Sequence, residues 1–109
     1  MYQVLYLPQV RDQDLSALDP PIRKRIQRAI EQKLTSSPER FGDPLRGPFA
    51  LYRKLRVGDY RVVYRVRRKE VVVLVIMVGH RREVYLELDR KSTRLNSSHI
   101  QKSRMPSSA

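Results

Sequence analysis

The sequence predicts an α+β fold, a small antiparallel sheet of four strands with two N-terminal helices packed on one face. The expected order is βααβββ followed by a short C-terminal helix. Three observations carry this reading. Residues 49–85 read as two β-hairpins in succession. Residues 19–34 carry Ile22, Ile26, Ala29, Ile30 and Leu34 at helical spacing. The run Val71–Val78 is apolar on both faces, as suits an interior strand.

Taken in order, Tyr2–Leu7 is a first strand rich in β-formers and is ended by Pro8. Pro8–Leu18 forms a first helix with Val10, Leu15 and Leu18 on one side. Asp19 is placed to cap the second helix and Pro20 suits its first position. On the far side of that helix lie Arg23, Lys24, Arg25 and Arg28, read as a solvated face rather than a second nucleic-acid contact. Thr35–Pro48 holds three prolines and two glycines and is a loop, with Phe41 and Leu45 expected to anchor it in the core.

In Phe49–Val57, residues Phe49, Leu51, Leu55 and Val57 share one face, which Arg53 interrupts, and Tyr52, Lys54 and Arg56 share the other. Gly58-Asp59 is a two-residue hairpin signal, because both residues tolerate positive φ. It pairs Val57 with Tyr60, Arg56 with Arg61, Leu55 with Val62 and Lys54 with Val63. Through the polar turn Arg67–Glu70, Val66 is expected opposite Val71, Tyr64 opposite Val73, Val62 opposite Val75 and Tyr60 opposite Met77. Val72, Leu74 and Ile76 then form an apolar strip on the other face, to be covered by the C-terminal segment or a partner. His80–Leu88 reads as one or two helical turns with Arg81 and Tyr85 on one side. Residues 92–109 are a third serine and lack apolar periodicity. They are expected to be a disordered tail, non-native read-through in preference to a natural one, leaving residues 1–91 as the single domain.

Charge is the strongest functional signal. The chain of 109 residues has a net charge of +12 and a pI near 10.7. Eleven Lys or Arg stand against two acids, Asp59 and Glu70, between Arg46 and Arg82. Ordinary surfaces intersperse both signs, so a patch of this sort is expected to meet a polyanion. There is no cysteine, so thiolate metal sites, disulfides and cysteine nucleophiles are excluded. No signal-peptide pattern opens the chain and no apolar run is long enough to span a bilayer, so a cytoplasmic location is expected. No metal or other cofactor is implied: the two acids of the basic sheet lie in separate turns, and His80 is the sole histidine before the tail.

Arg56 opposite Arg61, with Lys54 and Arg65 as neighbours, costs a few tenths to about 1 kcal/mol of cross-strand repulsion, which a bound phosphate would relieve. Arginine, lysine and tyrosine suit one reaction in particular. RNA carries its own nucleophile, the 2′-hydroxyl, beside the phosphate it attacks. An enzyme need only take that proton, neutralise the phosphorane and protonate the leaving 5′-oxygen. Cations around Tyr85 would lower its pKa toward a usable range.

Leu18, the Ile22/Ile26/Ile30 helix, Pro44-Leu45-Arg46-Gly47, the segment Leu55–Tyr64 and Val78–Tyr85 together resemble the RelE/ParE superfamily of bacterial type II toxins, and within it the RelE branch. The resemblance covers residues 2 to about 90. It implies a ribosome-dependent messenger RNA endonuclease silenced by a cognate antitoxin, with ribosome and mRNA as its other partners. It also implies that Lys54 acts in proton transfer, that Arg61 and Arg81 hold the scissile phosphate, and that Tyr85 stacks on or activates the substrate. Arg53, Arg56, Arg65, His80 and Arg82 are the further candidates for RNA and phosphate binding. A second lysine of the family pattern is Tyr52 here, which leaves the general base open. The alternatives are a ParE-like toxin that inhibits DNA gyrase without nuclease activity, and an inactive member kept for binding its antitoxin.

Overall fold

The computed structural model describes residues 1–100, with side chains through residue 90. Five strands form one mixed sheet in the order β1-β5-β4-β3-β2. They are β1 (Gln3–Tyr6), β2 (Asp43–Pro44), β3 (Tyr52–Val57), β4 (Tyr60–Arg67) and β5 (Val72–His80). The α+β class holds, with two differences from expectation. The two-residue edge strand β2 adds a fifth strand, and β1 runs parallel to β5, so the sheet is not wholly antiparallel. A two-residue edge strand leaves no sequence signal, and direction is set by the route of the chain rather than by strand composition.

The first helix is present but shorter than expected, over residues 8–14, and α1 (Pro20–Ala29) continues in a wider turn, Ile30–Leu34. Pro20 does sit at its start, behind Asp19, whose side chain makes no capping bond. Ile26, Ile30 and Leu34 are fully buried against Leu55, Val62, Tyr64, Val73 and Val75, with Val10 and Leu15 beside them. Both N-terminal helical segments therefore lie on one face of the sheet. On the other face a smaller cluster joins Val63 and Met77 to Val84 and Leu88 of α3 (Arg81–Ile100).

The first hairpin has the expected register, Val57 to Tyr60 through Lys54 to Val63, with Gly58 at φ 60° in the turn. The second does not. Val66 pairs with Val73 and Tyr64 with Val75, then the register jumps so that Val63 pairs with Met77 and Tyr60 with His80. Ile76 is the extra residue of a β-bulge. The bulge turns both Ile76 and Met77 toward α3, whereas strict alternation would send Met77 to the α1 face. The chain's own helix thus covers Ile76, and Val72 and Leu74 stay half-buried. α3 is also longer than expected. No glycine or proline interrupts Arg81–Ile100, so the helix continues through residues 92–100, where a disordered tail was expected; the rest of that tail lies outside the described residues.

The loop before β3 is tied down by polar contacts. Tyr64 is fully buried and its hydroxyl donates to the Pro38 carbonyl at 2.6 Å, in the short helix α2 (Pro38–Phe41). Burial, as the largest cause, raises the pKa of that phenol. Leu45 packs with the second cluster, but Phe41 is exposed, with the Lys33 ammonium 5.7 Å from its ring centre. Leu51 is exposed too, because the chain turns through Gly47–Phe49 and enters β3 only at Tyr52. A Cβ on Gly42 would collide with the Tyr64 hydroxyl. Gly42→Ala should therefore destabilise the protein by about 1–3 kcal/mol, read from its urea midpoint, because a buried tyrosine has no room to retreat.

Candidate active site

The site forms where α3 crosses the β3–β4 hairpin. Strand alternation and the observed register put Tyr52, Lys54, Arg56, Arg61, Val63 and Arg65 on the face that α3 covers. Helix α3 starts immediately after β5, with the Arg81 amide donating to the Asp59 carbonyl at 2.9 Å. That bond pins the helix start to the hairpin turn. One turn on, Tyr85 stands over β3: the Lys54 ammonium donates to its hydroxyl at 3.1 Å and lies 4.9 Å from its ring centre.

Arg61 is the unusual residue. It is the one buried charged side chain among the described residues, at 4% exposure. One terminal nitrogen donates to the Gly58 and Tyr60 carbonyls at 2.9 and 2.8 Å. The repulsion expected from Arg56 is thus relieved by backbone oxygens. Arg56 is exposed, unlike Arg61, and the residue borders a depression beside α1. Opposite Arg61 on β5 is Gly79, which adds no side chain to the space it needs. The Nε of Arg61 is buried with no partner. An orphaned, charged donor of this kind is costly unless an acceptor arrives.

The same cations act on Tyr85. The hydrogen bond from Lys54, and after it the one from Arg61, hold its phenol below its ordinary value of 10.0, against a smaller opposing effect of burial. Cations favour the phenolate, so its share of folding stability is complete above pH 10.0 and is lost as the pH falls through the folded-state pKa. Lys54→Met should move that ionisation back toward the ordinary value. Absorbance near 295 nm should show an early-titrating phenol in the parent protein that is absent in Lys54→Met and in Tyr85→Phe.

The other candidates divide. Arg81 is exposed at the start of α3, four residues before Tyr85. Arg82 lines a shallow hollow with Tyr85, Leu86 and Asp89. Arg65, half-buried, is on the same face of the sheet, opposite Tyr52. Arg53 is not part of the site. It lies on the opposite face, where it donates to the Glu39 carbonyl at 2.7 Å and also to that of Gly42, fastening α2 to the sheet. Its Nε is orphaned as well, so an unpartnered donor acquires meaning only beside Lys54 and Tyr85. His80 also falls outside. It pairs with Tyr60 on the α1 side of the sheet, meeting that ring edge-on at 5.6 Å, while its Nδ1 accepts from the Arg82 amide. The bulge at Ile76 contributes to these positions, since it resets which residues of β5 face α3. Arg25, which the sequence assigns to a solvated helix face, reaches the Gly58 turn from α1 with its guanidinium.

Known proteins share this fold. The family of ParE toxins of type II toxin–antitoxin systems, parDE, matches residues 4–85. The chain belongs to the RelE/ParE superfamily of type II toxins. Toxin RelG of Mycobacterium tuberculosis is 33% identical over 72 residues, covering 66% of this chain and 83% of the relative. The toxin–antitoxin complex RelBE2 of the same organism superposes with a TM-score of 0.69 at 32% identity, over 73% of this chain and 91% of the other. The isolated E. coli RelE toxin gives a TM-score of 0.64 at 27% identity, over 84% and 98% of the two chains. The span matched by the family, residues 4–85, contains Lys54, Arg61, Arg81 and Tyr85 of this chain.

Proposed function

We propose that this RelE/ParE toxin is a metal-independent endoribonuclease that cuts mRNA on the ribosome, in the cytoplasm. The observation that carries the reading is the buried Arg61, with its unpartnered Nε, beside a tyrosine whose pKa is lowered by Lys54. In this scheme the Arg61 fork holds the non-bridging oxygens of the scissile phosphate and neutralises charge as the phosphorane forms. Tyr85, as phenolate, takes the proton of the 2′-hydroxyl. The 2′-oxygen attacks phosphorus, the P–O5′ bond breaks, and the products are a 2′,3′-cyclic phosphate and a protonated 5′-hydroxyl.

The 3.1 Å between Lys54 and Tyr85 also bears on the division of roles. In-line displacement places the attacking and leaving oxygens on opposite sides of phosphorus. Two groups in direct hydrogen-bond contact serve the same side. Lys54 therefore acts by stabilising the Tyr85 phenolate, and the departing 5′-oxygen takes its proton from water while Arg81 stabilises its charge.

A cognate antitoxin is the second partner, as in the RelBE complexes that share this fold. An acidic, apolar segment would neutralise the basic face and cover the half-buried Val72 and Leu74 and the exposed Leu86. The runner-up reading, inhibition of DNA gyrase, draws on the ParE description of the matching family. Primer extension on a reporter mRNA with programmed ribosomes separates the two. Cuts at the ribosomal A site support the nuclease. Intact mRNA together with toxin-dependent breaks in gyrase-treated plasmid would replace it with the gyrase reading.

A further inference from the structure

A second basic site lies around the edge of the sheet from Arg61, and it deepens the nuclease reading on which it rests. Arg25, Arg28 and Lys33 of the α1 segment, with Arg56 of β3, line a depression of about 270 Å³ floored by Val57 and Gly58, and no carboxylate lines it. Arg25, Arg28 and Arg56 are exposed, and among the described residues none of the four makes an ion pair. This differs from Arg67, Arg68 and Arg90, each of which is matched to a glutamate. Four like charges around one hollow repel one another, and an anion would remove that repulsion.

The hairpin turn joins this hollow to the candidate active site. The Gly58 carbonyl accepts from Arg61, while the Arg25 guanidinium atoms lie 3.3–3.4 Å from the point where a Gly58 Cβ would sit. Arg56, paired with Arg61 in the ladder, also borders the hollow. Cationic groups thus follow one another from Lys54 and Arg61 around the hairpin to Arg25 and Arg28. A track around an edge fits a chain of phosphates better than a single small anion. An antitoxin segment would want apolar anchors, and the exposed large apolar residues Leu5, Phe41, Leu51 and Leu86 do not line this hollow.

We propose that the Arg25/Arg28/Lys33/Arg56 hollow is a phosphodiester-backbone site that holds RNA outside the cleavage site. Each phosphate contact should add about 0.7–0.9 to the slope of log affinity against log salt. The test is binding of the full chain to programmed ribosomes, and to a fully 2′-O-methylated, uncleavable oligoribonucleotide, between about 50 and 200 mM salt. The double variant Arg25→Gln/Arg28→Gln should lower the slope by about 1.5 and weaken binding several-fold. The control Arg11→Gln/Arg40→Gln removes the same charge elsewhere and should leave the slope nearly unchanged. An unchanged slope in the first variant, or an equal fall in both, overturns the proposal. So does a loss confined to affinity for the antitoxin. Because binding is read without cleavage, absence of mRNA cuts by the wild-type protein defeats the nuclease reading and leaves this result to stand or fall by itself.

Discussion

Arg61→Ala should reduce mRNA cleavage by about 10³-fold or more, the loss expected when a preorganised cation is removed from a phosphoryl transition state. Primer extension and single-turnover rates on programmed ribosomes would measure it. The substitution should also cost stability, about 1–3 kcal/mol, because a 4%-exposed side chain that donates to two carbonyls leaves those acceptors and a void behind. Sequence alone suggests a surface arginine that could be removed at little cost; burial changes that expectation. Arg61→Lys separates the two effects. It retains charge and much of the packing but loses the fork, so it should recover most of the melting temperature and little of the rate. Cleavage by a folded Arg61→Ala protein at the parental rate would remove Arg61 from the mechanism.

The second large effect is expected at Tyr85. Tyr85→Phe keeps the ring that Lys54 lies against and removes only the oxygen, so the fold should be unaffected while the cleavage rate falls about 10²–10⁴-fold, the range for loss of a general base. The pH profile gives the sign. A phenolate base makes the rate climb with pH until the lowered Tyr85 pKa is passed. Lys54→Met should displace that ascending limb to higher pH, because the cation that favours the phenolate is gone. A rate that falls with rising pH over the same range, or a Tyr85→Phe enzyme with parental activity, would assign the proton transfer to another group. Lys54→Ala alone is less informative, since it changes both charge and the seating of the tyrosine ring.

The residue pattern by itself determined the α+β class, the helix built on Ile22, Ile26 and Ile30, and the register of the first hairpin. These are local matters: helical periodicity and the positive φ of Gly58 are written within a few residues of one another. The association of Lys54, Arg61 and Tyr85 was legible for a related reason, because the Gly58 turn aligns the first two and β5 leads directly into the helix bearing the third. Only the tertiary structure decided the rest. The parallel placement of β1 and the bulge at Ile76 depend on contacts between distant segments. So do the retirement of Arg53 and His80 from the site and the burial of Arg61, since a charged residue in a strand pattern reads as exposed until a helix is laid across it. The hollow at Arg25 and Arg56 belongs with these. A basic helix face reads as solvated in sequence, and it becomes a site only where the fold brings a second basic strand against it.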